Sequence, residues 1–535
     1  MDARIDQLSP FELKDKLLEY ARDYSHDKGS THQLLDAGRG NPNWIATTPR
    51  EAFFALGQFA LAESKRVWDE PDLGGMPHAD GIAARLDRFL ARLPSSPGVE
   101  LLRNALRYAV ATLGFDGDAF VHELASGIAG DTYPVPDRML RHCEQIVQRF
   151  LDKVMFDGHP PPGRFDLFAV EGGTAAMCYA FDSLIANRLL KKGDTIALGT
   201  PIFTPYVELP HLEDYGFHTV EIRQSTMGPD GRHTWQYPAD EIAKLADPKI
   251  KAFFIVNPSN PASFTIDPES QSQIVRLVRE QRPDLIVLTD DVYGTFVEGF
   301  RSLAADLPHN TMLVYSYSKH FGCTGWRLGV IALHDDNVLD RKLAELPAAE
   351  RDALRTRYAS LALEPDRLKM IDRIVADSRR VALNHTAGLS TPQQIQMALF
   401  SLFALLDEAD AYARRCRAIV HERFERLLLG LGVELADDMR RVGYYADFDL
   451  EAWGRVVVGE DFIEYLNAHH DPVEVVIGLA QRFGTVLLNG SGFAGPPWSI
   501  RVSLANLDAS EYEAIGAHLR EIVMTAVARW KALRH

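Results

Sequence analysis

The feature that most restricts the fold is a rhythm in the middle of the chain. Short, nearly continuous apolar runs at 195–199, 252–256, 285–289 and 312–317 alternate with stretches of helical period such as 174–190 and 268–279. A strand that is apolar on both sides must be covered on both faces, and helices between successive strands supply that cover. The pattern predicts an α/β domain on a mainly parallel sheet flanked by helices.

The flanks read differently. Ser9-Pro10-Phe11-Glu12 combines an N-cap serine, a proline in the first turn and a glutamate at N3, and so predicts an opening helix. A turn-rich stretch follows at 37–44 (Ala-Gly-Arg-Gly-Asn-Pro-Asn-Trp), then helices over 50–125 broken by Gly74-Gly75 and by Pro94-Ser95-Ser96-Pro97. Residues 337–380 are charge-rich and helical, and are expected to be a solvated insertion or an oligomer contact. After Thr391-Pro392 come a long helical stretch, short strands and a helix from about Ser510, which read as a smaller α+β lobe. The expected division is an N-terminal arm with part of the small domain at 1–60, a large domain at 61–395 with helical insertions near 61–130 and 335–385, and a small domain at 396–535.

Composition excludes several classes. The 535 residues carry 57 basic and 74 acidic side chains, a net charge of −17, which disfavours nucleic acid and anionic membrane as partners. Cys143, Cys178, Cys323 and Cys416 are far apart and form no CxxC, so neither a disulfide framework nor a metal site is expected. The N-terminus lacks an apolar signal region and no apolar run is long enough for a membrane span, so a cytoplasmic protein is expected.

The most informative segment is Ser316-Tyr317-Ser318-Lys319, with Arg327 eight residues on. Burying an ammonium just after a core strand is costly unless it is paired or used chemically. An amine that forms an imine with an aldehyde meets that condition, and Ser316 and Arg327 are then placed to grip a phosphate. Glu171-Gly172-Gly173-Thr174 sits at a strand-to-helix turn, where backbone N–H groups and the helix dipole favour an anion. Asp290 and Tyr293 close an apolar run; a carboxylate there can keep a pyridine nitrogen protonated. Asn260 follows another strand, Phe203 is an aromatic suited to stacking, and Arg501 lies in a strand-like run suited to forking a carboxylate. Taken singly, the glycines are also ordinary turns and the aromatics ordinary core residues.

Together and in this order, the segments resemble the fold-type I pyridoxal-phosphate enzymes, the aspartate aminotransferase superfamily, from about Gly38 to Ser503. The resemblance implies a large domain with a mainly parallel seven-stranded sheet, a smaller α+β domain, and pyridoxal 5′-phosphate as cofactor. It implies Lys319 as the Schiff-base lysine, Asp290 as partner of the pyridine nitrogen, and Tyr293 and Asn260 as ligands of the ring oxygen. Phe203 becomes the stacking aromatic; Gly173, Thr174, Ser316, Ser318 and Arg327 form the phosphate cup; Arg501 holds the substrate's α-carboxylate beside Gly40. Tyr133 resembles the tyrosine that reaches the phosphate of a neighbouring subunit, which implies a homo-oligomer, at least a dimer with shared sites and up to a dodecamer.

Two departures matter. The superfamily usually reads Asn-Pro-Thr-Gly where this chain has Asn260-Pro261-Ala262-Ser263, and Thr386 stands where aspartate aminotransferases place the arginine for the distal carboxylate. Arg39 is the first candidate to replace that cation and Lys14 the second. The extra helical material, with the segments at 37–44, 171–177 and 385–394, resembles the bacterial aspartate 4-decarboxylase family, also described as bifunctional aspartate aminotransferase and β-decarboxylase. That resemblance implies conversion of L-aspartate to L-alanine and CO2, with transamination of 2-oxo acids (pyruvate, 2-oxoglutarate or oxaloacetate) as a side activity. The candidates for delivering a proton to Cβ are His320, His385 and Tyr206. A plain aminotransferase is the nearest alternative. A non-catalytic regulator is disfavoured, because the first 130 residues show no basic helix-turn-helix.

Overall fold

The computed structural model describes residues 10–27, 34–379, 388–435 and 437–534. Seven strands form the main sheet: β1 (Phe165–Val170), β2 (Thr195–Thr200), β3 (His218–Arg223), β4 (Ile250–Val256), β5 (Ile286–Asp290), β6 (Thr311–Ser316) and β7 (Gly329–His334). Their order is β1-β7-β6-β5-β4-β2-β3. β7 runs antiparallel to both its neighbours, and the other pairs are parallel. The four apolar runs of the sequence are β2, β4, β5 and β6. Two of the other three strands are less visible for physical reasons: β3 is a half-exposed edge with a polar sequence, and Asp166 interrupts β1. That aspartate is buried against Arg138 and Lys369.

Helices cover both faces. On one side lie α2 (Thr47–Val67), α3 (Ile82–Leu90), α4 (Pro97–Ala111), α5 (Gly117–Ala129) and α6 (Arg141–Met155), sharing one apolar core with the helix Thr391–Leu406. The break at 94–97 is the start of α4: Pro97 is its first residue and the Ser96 side chain accepts the Val99 N–H. The expected boundaries at 60/61 and 395/396 both fall inside helices of this core. α2 begins at Thr47, and a turn separates Leu406 from the helix Ala411–Leu431.

The charge-rich stretch after Asn337 is not simply solvated. Its helices Val338–Glu345, Ala348–Tyr358 and Met370–Asp377 bury Leu339, Leu354, Tyr358, Met370 and Ile374 in the core of the opposite face. Buried Asp377 ties them to α7 (Gly173–Ala186), accepting from Ser183 Oγ, Asn187 Nδ2 and Tyr358 OH. Interleaved charges hide an apolar face of helical period.

The smaller body has an antiparallel sheet of β8 (Tyr445–Asp449), β9 (Leu488–Asn489) and β10 (Ser499–Ser503), in the order β8-β10-β9. α1 (Pro10–Asp27) packs there, Leu13 and Leu17 meeting Val476 and Leu479. Leu35–Asp36 pairs in parallel with Thr485–Val486, and the Ser503 N–H donates to Ala37 O at 2.8 Å. The turn-rich segment that follows is thereby held against β10.

Candidate active site

The carboxyl ends of the main strands carry one wall of the site. After β1 the backbone turns through Gly172 at φ +94°, and a Cβ there would lie 2.5 Å from Arg327 Nη2, so only glycine fits. α7 then begins at Gly173, and its first intrahelical bond is Ala176 N–H to Gly172 O, which leaves the earlier N–H groups free to meet an anion. Arg327 is held from both sides, Nη2 donating to Glu171 O and Nη1 to Thr324 O, each at 2.9 Å. Ser316 ends β6 and its Oγ lies 3.0 Å from Ser318 Oγ. A Cβ placed on Gly173 would stand 3.5 Å from Asp290 Oδ2 and 3.8 Å from Ser316 Cβ, so helix terminus and strand ends converge on one spot.

Asp290 ends β5 and is 6% exposed. It accepts the Tyr206 hydroxyl at 2.6 Å and the Val292 N–H at 3.3 Å. Burial raises its carboxyl above the ordinary value, opposed by those two hydrogen bonds and by the charge of Lys319. Burial and the neighbouring tyrosine hydroxyls push Tyr293 well above the usual range, so its OH stays protonated; it lies 3.0 Å from Tyr445 OH and 3.5 Å from Asn260 Nδ2. Phe203 sits edge to face with Tyr206, ring centroids 5.5 Å apart. Lys319 Nζ donates to Gly40 O at 2.9 Å, and the same carbonyl accepts the Tyr444 hydroxyl at 2.9 Å. A side chain at Gly40 is impossible, since its Cβ would lie 2.2 Å from Tyr445 OH and 3.3 Å from Lys319 Nζ.

Arg501 is 2% exposed and lies in β10, its guanidinium over the rings of Tyr445 and Phe493. Nη1 donates to Asn260 Oδ1 at 3.1 Å and Nη2 to Gly38 O at 2.8 Å, while among the described residues Nε has no partner. Among the described residues no carboxylate forms an ion pair with it, an arrangement suited to an incoming anion.

The two cation candidates differ. Arg39 is largely exposed and faces Asp36, Nε to Oδ2 3.6 Å. Lys14 is 8% exposed, its stem against Gly38, and among the described residues its ammonium has no hydrogen-bond or ion-pair partner. Tyr133 is on an exposed stretch, 65% accessible. His385 and Thr386 lie outside the described residues. His320, although next to Lys319, turns into an aromatic nest of Phe296, Phe321 and Tyr412, and burial pushes its imidazole down to about 3, so it stays neutral and is a core residue.

Two site residues that no sequence motif marks are Tyr444 and Tyr445, which come from β8 and its approach and bring hydroxyls to Gly40 and Tyr293. Gly443, at φ +72° just before them, is the one local sign of a special turn. They are held by Ser263, the residue that departs from Asn-Pro-Thr-Gly, whose Oγ accepts the N–H groups of both tyrosines.

The residues present fit pyridoxal 5′-phosphate. A buried carboxylate without an ion-pair partner among the described residues awaits a cationic ring nitrogen. An anion cradle built on Gly172 and Arg327 sits beside it, and an amine reaches in from Lys319.

Comparison with known proteins agrees with that fit. The family model for aminotransferase class I and II matches residues 170–519. The chain belongs to this family. Its members depend on pyridoxal phosphate. The chain is 49% identical over 529 residues, 98% of each sequence, to a Pseudomonas sp. protein named bifunctional aspartate aminotransferase and L-aspartate beta-decarboxylase. Among solved structures, a single-mutant aspartate aminotransferase from Thermus thermophilus superposes with TM-score 0.58 at 16% identity, covering 98% of this chain and 99% of its own. N-succinyldiaminopimelate aminotransferase from Mycobacterium tuberculosis gives 0.58 at 16%, covering 98% and 100%. At such identities these two speak for the fold alone.

Proposed function

We propose that this aminotransferase-family protein converts L-aspartate to L-alanine and CO2, taking up one proton, and transaminates L-aspartate with 2-oxo acids as a second activity. The observation that carries the reading is the end-to-end match to the Pseudomonas enzyme, 98% of both chains at 49% identity. The helical insertions that set this chain apart from ordinary aminotransferases lie inside that match.

In this reading Lys319 is the covalent anchor of the cofactor, Asp290 faces its ring nitrogen, and Tyr293 and Asn260 face its ring oxygen. Phe203 would stack on the ring, and Gly173, Thr174, Ser316, Ser318 and Arg327 would hold its phosphate. When bound, pyridoxal 5′-phosphate supplies an aldehyde for the substrate amine and a cationic ring that draws charge from Cα. The Arg501 guanidinium would hold the α-carboxylate on the side of Asn260 and Gly38, which would set the Cα–H bond toward the Lys319 amine, and Lys319 Nζ would move that proton. Tyr206 keeps Asp290 in place through the 2.6 Å hydrogen bond.

Lys14 supports the decarboxylase reading. Lys14 packs its stem on Gly38, and its ammonium, unpaired among the described residues, is a point charge able to recognise a distal carboxylate. It lacks the bidentate grip that would stabilise that carboxylate more than the departing neutral CO2. Arg39, engaged with Asp36, is the weaker candidate. The protein is taken to act in the cytoplasm as a homo-oligomer, at least a dimer, with Tyr133 completing the phosphate site of a neighbouring copy. No helix of the described residues is long and apolar enough to cross a membrane.

The deciding experiment is product analysis of the purified holoenzyme with L-aspartate and a trace of pyruvate. Equal amounts of alanine and CO2, far above the pyruvate supplied, support the lyase. Alanine limited to the pyruvate consumed supports a plain aminotransferase. Lys14→Met is expected to raise KM for aspartate about tenfold or more. An unchanged KM removes Lys14 from the site.

A further inference from the structure

β8 and β10 pair with Asp447 directly opposite Arg501. Residues opposite one another in an antiparallel pair project from the same face, with Cβ atoms about 5 Å apart. Two unpartnered groups therefore share one face of the sheet without forming an ion pair. Among the described residues neither carboxylate oxygen of Asp447 has a hydrogen-bond partner or contact with solvent, and Arg501 Nε is likewise unpartnered. The next carboxylate on the strand, Asp449, is satisfied by His233 Nε2 at 2.8 Å and by two backbone N–H groups.

We propose that Asp447 is the buried counter-charge of Arg501, a positioning residue whose protonation state sets how strongly the site binds the substrate's α-carboxylate. The inference rests on Arg501 holding that carboxylate. With Asp447 ionised, the guanidinium is partly neutralised from behind and binds an anion less well. With Asp447 protonated, its full charge faces the substrate.

The surroundings place this change near neutrality. Burial and then Asp449 push the Asp447 carboxyl up to about 7, opposed by Ser499, His233 and Arg501. These are the groups that face it: Asp449 on its own strand, Ser499 and Arg501 on β10, and His233 from the segment before Trp235. Asp447 also borders a cavity of about 390 Å³, whose other walls carry Arg232, Arg441, Arg520, Asp437 and Asp438, a route by which the carboxyl can exchange its proton. The sign follows: anionic ligands bind most tightly below the Asp447 midpoint and lose affinity as pH rises through it.

The test is the dissociation constant of maleate, a dicarboxylate without a reactive amine, measured by calorimetry on the holoenzyme. Wild type is expected to lose about tenfold in affinity between about pH 6 and about pH 8.5, and Asp447→Asn to stay flat near the tight acid value. An equal slope in the two overturns the proposal. Ser499→Ala keeps the carboxylate but removes a group that lowers its pKa, so its midpoint moves to higher pH. Should Asp447→Asn not fold, an unmoved midpoint in Ser499→Ala overturns the proposal instead. Arg501→Lys separates this inference from its foundation: weak maleate binding at every pH upholds the role of Arg501, and unchanged binding removes that role whatever Asp447 does.

Discussion

In the proposed function, the wall assigned to the cofactor and the wall assigned to the substrate are built on different principles. Lys319, Asp290, Asn260 and the Gly172–Gly173 turn each follow a strand of one sheet, and adjacent strands fix their spacing. Lys14, Gly38, Gly40, Tyr444, Tyr445 and Arg501 come from α1, a coil, β8 and β10, joined to one another by the Leu35–Asp36 pairing and bonds to Gly38 O and Gly40 O, and to the first wall by the Lys319–Gly40 and Arg501–Asn260 bonds. The first wall is set by backbone ladders. The second depends on how two bodies close on each other. Damage to the first should therefore appear in chemistry and cofactor retention, and damage to the second in substrate affinity.

The largest contrast is at Lys319. Lys319→Ala is expected to cut aspartate turnover by about 10⁴-fold, since in the proposed function it removes covalent anchor and proton carrier together. Borohydride treatment of the wild-type holoenzyme followed by peptide mapping should place the label on this residue; a label elsewhere breaks the reading of the first wall. On the second wall, Arg501→Lys keeps the charge but loses the fork, and KM for aspartate should rise about 10- to 100-fold with a smaller change in kcat. A fall confined to kcat would assign Arg501 to the chemistry and blur the distinction between the walls.

Tyr206→Phe sharpens the first wall from within. It removes the shorter of two hydrogen bonds to a buried carboxylate, worth about 1.5–3 kcal/mol, so Asp290 is left more dependent on its other partners. Cofactor affinity, followed by absorbance on titrating the apoenzyme, should weaken about tenfold while KM for aspartate moves little. Equal weakening of both would mean that the hydroxyl serves the substrate as well.

The same division explains how much of the molecule is legible in its sequence. The cofactor wall is legible because each of its residues sits in a short motif ending an apolar run, as at 285–293 and 312–319. β3 and the buried face of the helices after Asn337 are not, because an edge strand and a charge-interleaved helix show only half of their periodic signal. The substrate wall is legible at Arg501 from its strand-like run and at Gly40 only through resemblance. In sequence Lys14 ranks below Arg39, because burial of a helix-face lysine depends on what packs against the helix, here the Gly38 segment. Tyr444 and Tyr445 carry no motif, and their roles exist only once the two bodies meet.

The smallest expected effect tests that meeting directly. Ser263 stands where related sequences usually have glycine, and it keeps the left-handed backbone that glycine favours, φ +60°. That conformation costs a serine roughly 1 kcal/mol. In return its buried Oγ accepts the N–H groups of Tyr444 at 3.1 Å and Tyr445 at 3.3 Å, and its carbonyl accepts the Val442 N–H at 2.8 Å. Ser263→Gly relieves the strain and keeps the carbonyl contact but removes the hydroxyl, a loss of about 1–1.5 kcal/mol. The two terms nearly cancel, so the melting temperature should move by only about 2 °C. The segment carrying both tyrosines is nevertheless less firmly tied to the large body, and KM for aspartate should rise about two- to threefold while cofactor affinity stays constant. A large drop in melting temperature would mean that the left-handed serine is not strained. An unchanged KM would mean that the closure of the two bodies is governed by contacts other than this clasp.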